Sequence, residues 1–156
     1  MIFAFSLVYL RFSRYLAPYF EIQCSLGFKK LLYLILYLMT DTYKKQLQKA
    51  GVNLDKALNR FMGNEAMYDK FLFSFTQEKS FEKLEESLNN KDIKESFILA
   101  HTMKGIVANL EIQSLLDLLS PMTEQLRNEN MEGIAEQWEL LKSKYNEVCN
   151  LIKDNH

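Results

Sequence analysis

DIKESFILAHTMKGIVANL, running from Asp92 to Leu110, carries apolar side chains at Ile93, Phe97, Ala100, Met103, Val107 and Leu110. These steps of three and four residues line up on one stripe at 3.6 residues per turn. The segment therefore reads as an amphipathic helix with that stripe facing a core. Asp92 places an acid where the free N–H groups of a first helical turn favour one. Whether the chain is a helical bundle then depends on whether the flanking segments repeat the pattern.

They do. Upstream, Asn53 or Asp55 can cap a short helix bearing Leu54, Ala57, Leu58 and Phe61, which Gly63 ends. Asn64 can cap the next, with Tyr68, Phe71, Leu72 and Phe75 at helical spacing. Phe81, Leu84 and Leu88 continue or restart that helix, with room for a break near Thr76 to Ser80, and Asn89-Asn90 is a turn signal. Downstream, Ile112, Leu115, Leu116, Leu119, Met122 and Leu126 form a stripe that contains Pro121, where a kink is expected. A last helix runs from about Met131 through Ile134, Trp138, Leu141, Tyr145, Val148 and Leu151. Short connections make neighbours antiparallel. The predicted fold is all-α: an up-down-up-down four-helix bundle with a short leading helix, over residues 39–156.

Composition agrees. At 48% hydrophobic and 25% charged, 156 residues suffice to bury one core. Five glycines and two prolines are too few for an all-β chain dense in turns. A net charge of −1 leaves no basic excess for nucleic acid. Cys24 and Cys149 make no disulfide framework and have no partners at metal spacing, so reduced thiols in a cytoplasmic protein are expected. Nucleotide-binding glycine loops and zinc or serine hydrolase motifs are absent.

Residues 1–38 differ in kind, being aromatic and apolar with almost no acid. Their apolar runs, Met1 to Leu10 and Leu31 to Met39, fall short of the roughly 20 residues that span a bilayer. Positive charge follows the first run instead of preceding it, a poor fit to a secretory signal. Three readings stay open: an extra helical element packed on the domain, a membrane-surface segment, or a stretch outside the working protein with translation starting at Met39.

His101 stands out because the only other histidine is His156. Relative to the stripe, Ile98, His101, Gly105 and Ala108 form a ridge turned away from the core, and Lys104 flanks it. A neutral imidazole is a good nucleophile near neutral pH. A phosphoryl group on it brings close to two negative charges, which an ammonium one turn away offsets in part. Gly105 mid-helix costs about 1 kcal/mol relative to Ala, and a bare backbone there lets another protein's surface approach the ring. Taken singly, each residue has a plainer reading: a surface histidine, a solvated lysine, a close helix–helix contact at the glycine. The three at fixed offsets on one face favour a phosphoryl acceptor.

The run Ala100-His101-Thr102-Met103-Lys104-Gly105, continuing through Ala108-Asn109-Leu110, resembles the core pattern of the histidine phosphotransfer (HPt) domain family of phosphorelays, in which Leu usually stands where Met103 is. Tyr68, Phe71, Leu72 and Phe75 resemble the family's preceding aromatic helix, and Lys91-Asp92 falls where the family often has Gly-Asp. The similarity spans Val52 to Ile152. The resemblance implies that His101 is the phosphorylated residue, Lys104 its counter-charge and Gly105 the clearance for a docking receiver domain, with Ile98 and Ala108 as partner contacts. It implies a phosphoryl carrier without a kinase activity of its own. Its partners would be response-regulator receiver domains and a hybrid histidine kinase, with no cofactor or metal here and Mg²⁺ on the receiver. Two departures bear on it. Glu111 replaces a family glycine that would end the helix in a left-handed conformation, so the helix is expected to end differently. Pro121 lies close to the residues level with His101, where the family often bonds the imidazole with a polar side chain; Glu124 or Gln125 can serve.

Three rival readings accompany this one. A non-phosphorylated helical adaptor, a degenerate HPt, keeps the fold without the chemistry. An enzyme with His101 as general base needs an orienting acid, and Asp92, Glu95 and Glu124 are at hand. A membrane-attached module rests on residues 1–38 alone.

Overall fold

The fold comes from a computed structural model that describes residues 41–156; the readings placed on residues 1–38 and on Cys24 lie outside the described residues. Among the described residues seven helices follow one another: α1 (Asp41–Lys49), α2 (Leu54–Arg60), α3 (Glu65–Phe75), α4 (Ser80–Asn89), α5 (Ile93–Asn109), α6 (Gln113–Arg127) and α7 (Ile134–Asp154). Among the described residues no helix is long and apolar enough to cross a membrane.

Side-chain caps set three of the helix starts. Asn53 accepts a hydrogen bond from the Lys56 amide at 3.2 Å, Asn64 from Met67 at 3.0 Å and Asp92 from Glu95 at 3.1 Å. Each satisfies an amide that the first turn leaves without a helical partner. Left-handed residues set the ends. Gly51, Met62, Lys91, Glu111 and Glu129 all have φ between +53° and +93°. After each, the next amide folds back five residues, as in Ile112 N to Val107 O at 3.1 Å.

Glu111 thereby corrects an expectation. It takes the left-handed conformation at φ 55° although it is not glycine, and α5 ends at Asn109. The strain, roughly 1–2 kcal/mol, is offset by partners. The Glu111 carbonyl accepts the Asn53 amide at 2.9 Å, and its carboxylate pairs with Arg60 at 2.5 Å. Gly51 carbonyl accepts from the Ser114 amide at 3.3 Å, the Ser114 hydroxyl donates to Ala50 O at 2.7 Å, and the buried Tyr68 hydroxyl donates to Leu110 O at 2.8 Å. The α5–α6 turn is thus pinned by the α1–α2 linker and by α3.

Helix α5 packs on α4 and α6, α6 on α7, and α7 on α3 and α1. Tyr68, Leu72, Met103, Leu115, Met122 and Leu141 are among the side chains that fill the core. Phe81 stacks on Tyr145 with ring centroids 3.8 Å apart and on Trp138 at 4.7 Å. Several stripe positions differ from expectation. On α5, Ser96 and Leu99 are buried while Ile93 and Phe97 are only half-buried, and on α3 Phe71 is exposed. Helix α1, with Tyr43 and Leu47 buried, was not anticipated, and α7 starts at Ile134 because Gly133 turns left-handed first. Pro121 sits exposed inside α6, which continues through it. It removes the hydrogen bond that the exposed turn at Asp117 would receive.

Candidate functional site

Helix α5 turns its buried positions, Ser96, Leu99, Ala100, Met103 and Val107, to the core, so the residues between them face out. His101 is exposed and so is Ile98, at 55%. Gly105 is exposed too, and a Cβ built on it meets nothing within 4 Å. That open space excludes a close helix–helix contact as the reason for the glycine. Ala108 and Lys104 are half-buried.

The flank of α5 that carries His101 meets α6. Lys104 Nζ lies 3.4 Å from Glu124 Oε1, and Glu124 Oε2 accepts from Arg127 Nη1 at 2.9 Å. The Arg127 guanidinium sits over the Phe97 ring, 5.5 Å from its centroid, a cation–π contact. The Phe97 ring in turn lies 5.9 Å from the His101 ring, tilted by 37°. Phe97, His101 and Lys104 are one helical turn apart in succession. The imidazole therefore lies one turn from each of two side-chain contacts between α5 and α6, Phe97 with Arg127 and Lys104 with Glu124, with a cation in each: Lys104 on its own helix and Arg127 on the next. Arg127 escaped the sequence reading. Its signal was its place near the end of the α6 stripe, readable only once the α5–α6 register is known.

The expected bond to the imidazole from Glu124 or Gln125 is not made. Glu124 is held by the two cations. Gln125 turns toward α7, accepting from Gln137 Nε2 at 2.7 Å and donating to the Glu132 carbonyl. Among the described residues no side chain hydrogen-bonds the His101 ring. Of the three acids that could orient it as a general base, Asp92 is committed to the α5 cap and Glu124 to Lys104 and Arg127, while Glu95 is exposed.

Concave surface lies elsewhere. A groove of about 500 Å³ is lined by Phe61, Met62, Met67, Phe71, Ile106 and Leu110 among others, and one of about 660 Å³ by residues at the end of α4 and the start of α7; His101 lines neither. Among the described residues no group of three or more His, Cys, Asp or Glu side chains is placed to hold a metal ion. Cys149 is a buried free thiol, its pKa pushed up by burial.

What this arrangement can do is offer one exposed nucleophilic nitrogen beside bare backbone, with two cations to receive negative charge. A family model described as Hpt domain matches residues 71–151, just over half of the chain. The matched stretch takes in His101, Lys104, Gly105, Glu124 and Arg127. No curated protein and no solved structure matches the chain.

Proposed function

This chain belongs to the Hpt domain family, and from that membership we propose that His101 is its phosphoryl-carrying residue, loaded by the aspartyl phosphate of one receiver domain and emptied onto the aspartate of another. The family relays phosphoryl groups between receiver domains, so receivers are the partners. The observation that carries the assignment to His101 is its exposure next to Gly105, where a Cβ would meet open space, inside the matched segment.

The chemistry is a displacement at phosphorus. The unprotonated ring nitrogen forms the N–P bond as the P–O bond of the acyl phosphate breaks, and the receiver's carboxylate leaves with the electron pair. N–P bond formation leaves the ring cationic, and the other nitrogen then releases its proton to water. Such transfers run through a loose, in-line transition state, so catalysis consists of positioning and charge stabilisation. Lys104 and Arg127 supply cations on either side of the ring. Gly105 clears space for the receiver's rim, and Ile98 and Ala108 contribute apolar contact around it. The Mg²⁺ that balances the aspartyl phosphate belongs to the receiver in this reading. The order of the helices and their short turns support an antiparallel up-down-up-down bundle as the scaffold that presents the ring.

The test is transfer from a radiolabelled phosphorylated receiver. Acid-labile, base-stable label is expected on the wild-type chain and none on His101→Gln, with both proteins equally folded by circular dichroism. Label that survives the substitution refutes the assignment to His101, and absence of label from the wild type across a receiver panel leaves a partner-binding adaptor.

A further inference from the structure

Glu124 sits where a phosphoryl group on His101 would need the cations. One carboxylate engages both of them, Lys104 at 3.4 Å and Arg127 at 2.9 Å. Through Phe97 and through the one-turn spacing to Lys104, these cations bracket the imidazole. Two cations and one carboxylate leave this flank at +1, while a phosphoryl group at neutral pH carries close to two negative charges. A phosphoryl group on the ring would compete with the Glu124 carboxylate for the same N–H donors.

We propose that Glu124 is an internal competitor for Lys104 and Arg127: it occupies them while His101 is empty and must give them up when His101 is loaded, so that it lowers the affinity of the site for the phosphoryl group and favours onward transfer. This rests on His101 being the carrier. Glu124 acts through the two cations and is therefore a positioning residue. The geometry suits a reversible device. The Lys104 contact is long for a salt bridge and the Glu124 side chain is half exposed, at 51%, so the pairs open at little cost. In the empty site Glu124 holds both cations on the flank of α5 that carries His101. A loaded one has a carboxylate nearby that competes to take them back.

The measurement is the equilibrium constant for phosphoryl exchange between the full chain and one receiver, for wild type and Glu124→Gln. The variant is expected to shift the balance toward phosphorylated His101 by roughly fivefold at low salt, the size of an exposed ion-pair effect. The shift should shrink toward unity at about 1 M salt, where charges are screened within about 3 Å. Glu124→Asp should restore most of the wild-type balance. In a Lys104→Gln/Arg127→Gln background the Glu124→Gln shift should vanish. Equal constants for wild type and Glu124→Gln at low salt overturn the proposal, as does an undiminished shift in that background, which makes Glu124 a direct repeller instead.

A second readout needs no receiver: inorganic phosphate titrated against the His101 ring resonances should bind Glu124→Gln several-fold more tightly than wild type. Unchanged phosphate binding overturns the competition even if transfer proceeds. Tighter phosphate binding with no transfer in any variant overturns the carrier reading itself.

Discussion

Adding a side chain at Gly105 should raise stability and lower function together. Gly105 lies well inside α5, is exposed, and a Cβ there meets nothing within 4 Å. The change to Ala therefore carries no steric penalty and returns the full helix propensity, about 1 kcal/mol. Gly105→Gln returns somewhat less, roughly 0.5 kcal/mol, because its longer side chain loses rotamer freedom. For a domain of this size 1 kcal/mol corresponds to a rise in melting temperature of about 4 °C. Thermal and urea unfolding followed at 222 nm measure both variants, with an unchanged m-value as the sign that only stability moved. Function should go the other way. The Gln side chain projects from the face beside His101 and holds a receiver off the ring, and a displacement of even 1 Å from the in-line geometry costs up to about a hundredfold in rate. Phosphoryl transfer should thus fall on the order of tenfold or more in Gly105→Gln and much less in Gly105→Ala. If Gly105→Ala is destabilising, the outer face of α5 is packed against something and the orientation of the helix is wrong. If Gly105→Gln melts higher yet transfers at the wild-type rate, the glycine is not there for docking.

The remaining expectations concern the supports of the site. Gly51→Ala places a Cβ 2.5 Å from Ser114 Cβ at φ +93°, so urea unfolding should show a loss of roughly 2–4 kcal/mol; a neutral result means the linker shifts freely off the α5–α6 turn. Tyr68→Phe removes the buried donor to Leu110 O, costing about 1–2 kcal/mol and speeding amide exchange in the last turn of α5; unchanged exchange there refutes the pinning role. Asp69 has its pKa raised by desolvation, against the lowering effect of hydrogen bonds from His156 and Tyr43. A raised carboxyl pKa means the folded state holds the proton more tightly. Its stabilising contribution is therefore complete below the ordinary carboxylate range and is lost as pH rises through the raised value. Asp69→Asn should flatten that stretch of the stability–pH profile, and an identical slope in the variant refutes the assignment.

The parts of the site legible in the sequence are those that a single helix determines. His101, Lys104 and Gly105 share a face because residues three and four apart always do, and their exposure follows from the buried positions between them. The start capped by Asn64 was legible for the same reason, since a cap is a local hydrogen bond; the sequence left Asn53 and Asp55 as alternatives and offered Asp92 as a first-turn acid, and in the fold Asn53 and Asp92 are the caps. Helix α1 was not. It buries Tyr43 and Leu47 as its two core residues, too few to make a period visible among its lysines and glutamines. Phe97 was misplaced because a periodic pattern weighs it as apolar and cannot tell that its ring is wanted at the edge, under Arg127.

Whatever depends on two helices meeting had to wait for the structure, and Glu111 shows why. Read alone, a glutamate in a glycine's place argues against a left-handed residue and for a longer or altered helix. In the fold it adopts φ 55° all the same, since Arg60 and the Asn53 amide, 51 and 58 residues upstream, hold its carboxylate and carbonyl. Lys91 does likewise at φ 56°, where the resemblance again expects glycine. Glu111 ends α5 and α6 begins two residues later, so its conformation sets the register between the two helices. That register decides which α6 side chains reach the flank of His101. Glu124 and Arg127 face it; Gln125, one residue from Glu124, is turned to α7. A one-residue change in the turn would rotate α6 by about 100° and replace the Glu124–Arg127 pair with other side chains. The nucleophile is thus a property of one helix, whereas the charge around it is a property of a turn pinned from α2 and from the α1–α2 linker. A substitution at Arg60, which touches neither His101 nor its cations, should on this account disturb transfer through register alone.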